Sequence, residues 1–206
     1  MFKAYRADRR IEKARRDGST TLDLSGMGLT EVPKAIGQLT SLQELNLSAN
    51  KISSLPEVLG QLTSLQELSL WGNKISSLPE GLGKLSSLQE LSLSGNEISS
   101  LPEELGKLSS LQRLYLSANK ISSLPEGLGK LTSLQELYLY SNEISSLPEG
   151  LGKLTSLQKL YLDNNPLNPE LAAPTTRHLK GKRPKLWGIS SGAKQTSRIS
   201  LGTRKL

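Results

Sequence analysis

Residues 42–64 read LQELNLSANKISSLPEVLGQLTS, and the same frame reopens every 23 residues at Leu65, Leu88, Leu111, Leu134 and Leu157. Written as LxxLxLxxNxIxxLPxxLGxLxx, it gives each residue type a task. Leu45 and Leu47 stand two apart and so point to one side of an extended segment, while Glu44, Asn46 and Ser48 point to the other. Leu42, Leu45, Leu47, Ile52, Leu55, Leu59 and Leu62 form an apolar set that one unit cannot bury without neighbours on both sides. Near-identical units of this kind stack into a solenoid with one short strand each. Asn50 and its equivalents Asn73, Asn96, Asn119, Asn142 and Asn165 fall where the chain turns inward. A side-chain amide that both donates and accepts at that point predicts a structural ladder of hydrogen bonds. Pro56, Pro79, Pro102, Pro125 and Pro148 fix φ ahead of an outer segment that contains glycine, which predicts a helical turn or 3₁₀ stretch.

The ends of the array depart from the pattern, as terminal repeats do. Residues 19–41 keep register through Leu22, Leu24, Leu29, Val32, Pro33, Ile36 and Leu39, but Met27 stands where later units have asparagine. Before them, Tyr5 to Arg16 is highly charged, with Ile11 and Ala14 at helical spacing and Asp17-Gly18 at its end, the pattern of a capping helix closed by glycine. The unit opening at Leu157 keeps Leu160, Leu162, Asn165 and Leu167 and loses the pattern after Leu171. The expected organisation is a capping helix over 1–18, about seven repeats over 19–171 starting near 19, 42, 65, 88, 111, 134 and 157, and a basic tail over 172–206. The expected fold is a curved, right-handed α/β solenoid with a parallel sheet on its concave face.

Charge is segregated along this plan. Lysine and arginine stand against aspartate and glutamate as 7 to 3 in residues 1–18, 10 to 16 in 19–171 and 9 to 0 in 172–206. A tail with nine cations, no carboxylate and many Ser, Thr, Gly and Pro residues is too hydrophilic to make its own core, so disorder is expected there. The chain has no cysteine, which removes disulfides and thiolate metal sites. The start, Met-Phe-Lys-Ala-Tyr-Arg, lacks an apolar h-region, and no stretch approaches the roughly 18 apolar residues of a membrane span. A cytoplasmic protein is expected.

The leader RADRRIEKARRDG, the segment LDLSGMGLTEVP, six LxxLxLxxN units and the closing LDNNPLNPELAA resemble intracellular leucine-rich-repeat proteins of the 23-residue class. The resemblance is closest to the repeat region that precedes the GTPase module of bacterial, notably cyanobacterial, Roco proteins, and it covers residues 1 to about 171. It implies a recognition or regulatory surface, with a setting in signalling. It does not extend to the GTPase. Gly83-Lys84-Leu85-Ser86 and its copies lack the G-x-x-x-x-G-K-[ST] frame of a phosphate-binding loop, and Ala173-Pro174-Thr175-Thr176 breaks the helix that continues such chains. A truncated or frame-shifted descendant of a longer protein would account for that ending.

The units differ mainly at the exposed strand positions, which form three columns. The first is Glu44, Glu67, Glu90, Arg113, Glu136 and Lys159. The second is Asn46, Ser69, Ser92, Tyr115, Tyr138 and Tyr161, and the third is Ser48, Trp71, Ser94, Ser117, Tyr140 and Asp163. Aromatic residues make up only 4% of the chain, yet four of its five tyrosines and one of its two tryptophans fall in these columns. Tyrosine, tryptophan and arginine dominate binding hot spots because they offer large, stiff contact area with a polar tip. A partner-binding site made of Trp71, Arg113, Tyr115, Tyr138, Tyr140, Lys159 and Tyr161 is therefore expected. The competing reading is that aromatics stacked on neighbouring strands stabilise the sheet, by roughly 0.2 to 1 kcal/mol per pair.

Catalysis finds no framework. His178 is the only histidine, and it lies in the basic tail without a serine–carboxylate or metal-ligand setting. Glu57, Glu80, Glu103, Glu126 and Glu149 recur on the outer segment and read as solvated. No enzyme, cofactor or metal is expected. An alternative function lies in the tail, where Lys180, Lys182, Arg183 and Lys185 beside Trp187 suit an electrostatic tether to nucleic acid or an anionic membrane. Self-association at the uncovered C-terminal edge of the solenoid is a further option.

Overall fold

The computed structural model describes residues 2–167 and the two-residue strand 199–200. Helix α1 (Phe2–Asp17) leads into strand β1 (Thr21–Asp23), followed by β2 (Glu44–Asn46), β3 (Glu67–Ser69), β4 (Glu90–Ser92), β5 (Arg113–Tyr115), β6 (Glu136–Tyr138) and β7 (Lys159–Tyr161). These seven strands pair in parallel and in chain order, each residue opposite its equivalent 23 positions on. Every link from strand to strand passes through a five-residue 3₁₀ turn, from Lys34–Gln38 to Glu149–Lys153. The solenoid and its short outer turns thus take the form the repeat predicts.

The leucines fill the space between sheet and outer turns. Leu45, Leu68, Leu91, Leu114, Leu137 and Leu160 point inward from the middle of their strands, none more than 2% exposed. One continuous core runs from Ala7 to Leu162. The asparagine column behaves as a ladder. Asn50 Nδ2 donates to the carbonyls of Leu24 and Leu47 at 2.9 and 2.8 Å, and its Oδ1 accepts from the Leu29 amide at 3.0 Å. The same three bonds recur at Asn73, Asn96, Asn119, Asn142 and Asn165. Each side chain reaches into the preceding unit, so the first unit manages with Met27 because Asn50 serves the carbonyl of Leu24.

Helix α1 closes the N-terminal end. Ala7, Ile11 and Ala14 lie on one face and are buried, while Arg10 donates to the Asp23 carbonyl at 2.6 Å. Gly18, at φ +60°, ends the helix. The amides of Gly18 and Ser19 turn back to the carbonyls of Arg15 and Ala14, the glycine-terminated motif that satisfies the last orphan carbonyls.

One expectation needs correction. The outer glutamates are not simply solvated. Glu57 accepts from the Gly81 amide at 2.9 Å, Glu103 from Gly127 at 2.7 Å and Glu126 from Gly150 at 2.8 Å. Each carboxylate thus ties its 3₁₀ turn to the start of the next, and Glu80 makes no such bond because Glu104 occupies the position of that glycine. Strand β8 (Ile199–Ser200) pairs antiparallel with β7, Ser200 opposite Lys159 and Ile199 opposite Leu160, so the last edge of the sheet is met at those two residues.

Candidate partner-binding face

In-register pairing places Ser92, Tyr115, Tyr138 and Tyr161 in one line across β4 to β7. The tyrosine rings stack. Tyr115 and Tyr138 have centroids 4.7 Å apart with planes 18° from parallel, and Tyr138 and Tyr161 are 4.6 Å apart at 14°. These separations match the strand spacing of about 4.8 Å, so the stack runs along the solenoid axis. Stacking covers both faces of Tyr138 and leaves its edge as the uncovered part of the ring.

The first column neutralises itself beside the stack. Arg113 Nε donates to Glu90 at 2.6 Å, and Lys159 Nζ to Glu136 at 2.7 Å, each pair bridging adjacent units. The Tyr138 hydroxyl donates to the other oxygen of Glu136 at 2.6 Å. Lys159 and Tyr138 together hold the Glu136 carboxyl below its ordinary range. Burial and the bond to Glu136 push the Tyr138 phenol well above its ordinary value, and burial first, then the charge of Glu90, raises Tyr115. Tyr115 and Tyr138 are therefore neutral donors at physiological pH.

Trp71 and Tyr140 stand apart from the stack. They are the exposed large hydrophobic side chains of the described residues, at 54% and 44%. Trp71 Nε1 lies over Gly95. Between their units in the same column Ser117 is buried, and its hydroxyl has no hydrogen-bond partner among the described residues. Sequence pattern assigns Ser117 to the exposed face, and only its position one unit before Tyr140 hints at its burial. The structure thus brings together Arg113, Tyr115, Tyr138, Lys159 and Tyr161, and leaves Trp71 and Tyr140 as separate contacts on the same face. Lys180, Lys182, Arg183, Lys185 and Trp187 lie outside the described residues.

Among the described residues no cluster of histidine, cysteine and carboxylate side chains is arranged to hold a metal ion, and no helix is long and apolar enough to cross a membrane.

A family model described as a leucine-rich repeat region matches residues 20–96 and 91–173. No curated protein matches the chain. Among solved structures, a leucine-rich-repeat protein of Leptospira interrogans is similar at 43% identity with a TM-score of 0.68, over 69% of this chain and 36% of that one. The plant peptide hormone receptor RGFR1, solved in complex with RGF2, aligns at 39% identity and a TM-score of 0.62, over 66% of this chain and 23% of the receptor. An internalin of Listeria monocytogenes aligns at 28% identity and 0.60, over 71% and 42%. The chain therefore spans less than half the length of each of these relatives. Repeat spacing, strand order, asparagine ladder and the matched family model agree, and the chain belongs to the leucine-rich-repeat family.

Proposed function

We propose that the protein is a docking module whose concave face, over the last three units, holds a partner protein. One observation carries this reading, the stack of Tyr115, Tyr138 and Tyr161 on strand positions that face the groove. A stack tied down by the bond from Tyr138 to Glu136 loses little side-chain freedom on binding, which lowers the cost of association. It offers apolar ring edges with hydroxyl tips, the chemistry enriched at hot spots. Trp71 and Tyr140 extend the contact area along the same face. The similar plant receptor is solved in complex with RGF2, which supports a proteinaceous ligand on this fold. No chemistry of bond making is assigned. Kinship with the repeat region of Roco proteins belongs to the same proposal and would place the module in signalling.

The test is capture of partners from a nuclease-treated lysate by the wild-type chain and by a variant carrying Tyr115→Ser, Tyr138→Ser, Tyr140→Ser and Tyr161→Ser. The variant is first checked for its far-ultraviolet spectrum and cooperative unfolding. A partner retained at high salt by the wild type and lost from the folded variant is the expected result. Loss of folding in the variant would make the stack internal scaffolding instead. Recovery that ignores the tyrosines but collapses with salt would move the function to the nine tail cations, since counterion release makes phosphate contacts steeply salt-dependent.

A further inference from the structure

The tyrosine stack ends abruptly, and its end has a distinct chemistry. Beyond Tyr115 the next residue in the column is Ser92, then Ser69 and Asn46. Serine brings no ring, so among the described residues no aromatic side chain stacks on the face of Tyr115 turned toward Ser92 and the N-terminal units. The neighbouring charges are uneven. Over units four to seven Arg113 and Lys159 cancel Glu90 and Glu136. In units two and three Glu44 and Glu67 are exposed and, among the described residues, no ion pair reaches either. Glu67 sits one strand across, about 5 Å, and two residues along, about 7 Å, from Ser92.

We propose, resting on the concave-face reading above, that this step receives an arginine of an extended partner polypeptide. Its guanidinium lies flat on the face of Tyr115 turned toward Ser92, continuing the stack by one member, and its charge is met by Glu67, with Glu44 beyond it. Three features select arginine. One strand spacing, about 4.8 Å, separates successive members of the column, the free end of an aromatic stack attracts a cation, and a planar delocalised cation stacks where a compact ammonium does not. An aromatic side chain would fill the same step but would leave Glu67 without a counter-charge.

The full chain, labelled with nitrogen-15, would be titrated with four blocked twelve-residue Ser/Thr peptides that carry arginine, lysine, citrulline or tyrosine at the centre. Amide shifts at Ser92 and Glu67 report occupation of the step. The arginine peptide is expected to saturate these shifts with an affinity at least about tenfold above citrulline and several-fold above lysine. Glu67→Gln should remove most of the preference over citrulline, and Tyr115→Leu, which keeps apolar bulk but no π face, the preference over lysine. Glu80→Gln on the outer surface, a change of equal charge, should alter neither. Equal binding of citrulline and arginine, or insensitivity to Glu67→Gln, overturns the inference. If the lysate partner is lost with the tyrosines yet keeps its affinity in Glu67→Gln, the arginine step falls while the docking module stands. If no peptide binds and the four-tyrosine variant captures the same partners as wild type, the module reading falls as well.

Discussion

Ala49, Ala118, Ser141 and Asn164 hold φ between 53 and 55°, where Gly72 and Gly95 hold 68 and 67° in the equivalent place. This residue precedes the ladder asparagine, and the left-handed turn aims the asparagine inward. A Cβ in that region costs about 1 to 2 kcal/mol, against about 0.5 to 1 kcal/mol for the extra freedom glycine gives the unfolded chain. Ala118→Gly is therefore expected to stabilise the protein by about 0.5 to 1 kcal/mol, read as a higher urea midpoint at unchanged m-value. Asn119 shows the opposite sign. Its truncation to alanine leaves the Ile98 amide and the carbonyls of Leu93 and Leu116 without their partner in a buried setting. With about 1 to 3 kcal/mol for each group left unsatisfied, a loss of about 3 kcal/mol or more should appear in the same assay. Glu136 supplies a pH signature. Its folded-state pKa lies below the ordinary 4.5, so the unfolded chain binds its proton first as pH falls. The stabilisation is complete above the ordinary value and is lost as pH drops through the folded one. Glu136→Gln should flatten this segment of the stability profile, by up to about 1 kcal/mol given the partial exposure of the pair.

The outer turns pack edge to edge with almost no side chain between them, and this sets what the repeat tolerates. A Cβ at Gly106 would run into the carbonyl oxygen of Gly127, whereas one at Gly152 meets nothing among the described residues. Gly106→Ala is expected to cost about 1 to 3 kcal/mol, as overpacking does, and Gly152→Ala close to none, compared by thermal unfolding. The pair separates close approach between turns from any general preference for glycine. It also marks where the sequence is readable. Strands, inward leucines and the asparagine ladder each follow from periodicity, because their partners are copies of the same motif at a known offset. The bonds of Glu57, Glu103 and Glu126 to the next turn were not readable, since they depend on how two turns lie side by side. The candidate site divides in the same way. The tyrosine column was legible from spacing and its stacking from the strand separation. The pairing of Arg113 with Glu90 and the burial of Ser117 depend on rotamers that no repeat pattern specifies.

Across the molecule, burial weakens toward the C-terminal end. Leucines of the inner units are almost all fully covered, while Leu147, Leu151 and Leu167 are only partly buried. The tyrosine stack reaches into this end at Tyr161, so a partner bound there is expected to stabilise the last units. Because each unit touches only its neighbours, stability is close to a sum of unit and interface contributions. Excision of residues 65–87, one full 23-residue unit, brings β2 beside β4 with leucine, asparagine and proline columns still in register. The shortened chain is expected to unfold cooperatively with an m-value lower by about one seventh, since m follows the surface exposed on unfolding. Excision of residues 65–86 leaves Ser87 as one extra residue at the junction while the units from Leu88 on keep their 23-residue spacing, so its cost should be confined to the new interface between β2 and β4. The in-register deletion removes Glu67 and Trp71 but leaves Tyr115, Tyr138 and Tyr161 on consecutive strands. Binding that depends on the stack alone should survive it, and the preference for an arginine peptide over citrulline should persist, because Glu44 of β2 moves into the place of Glu67 beside β4. A deletion chain that folds but loses its lysate partner would place the decisive contacts on unit three instead of the stack.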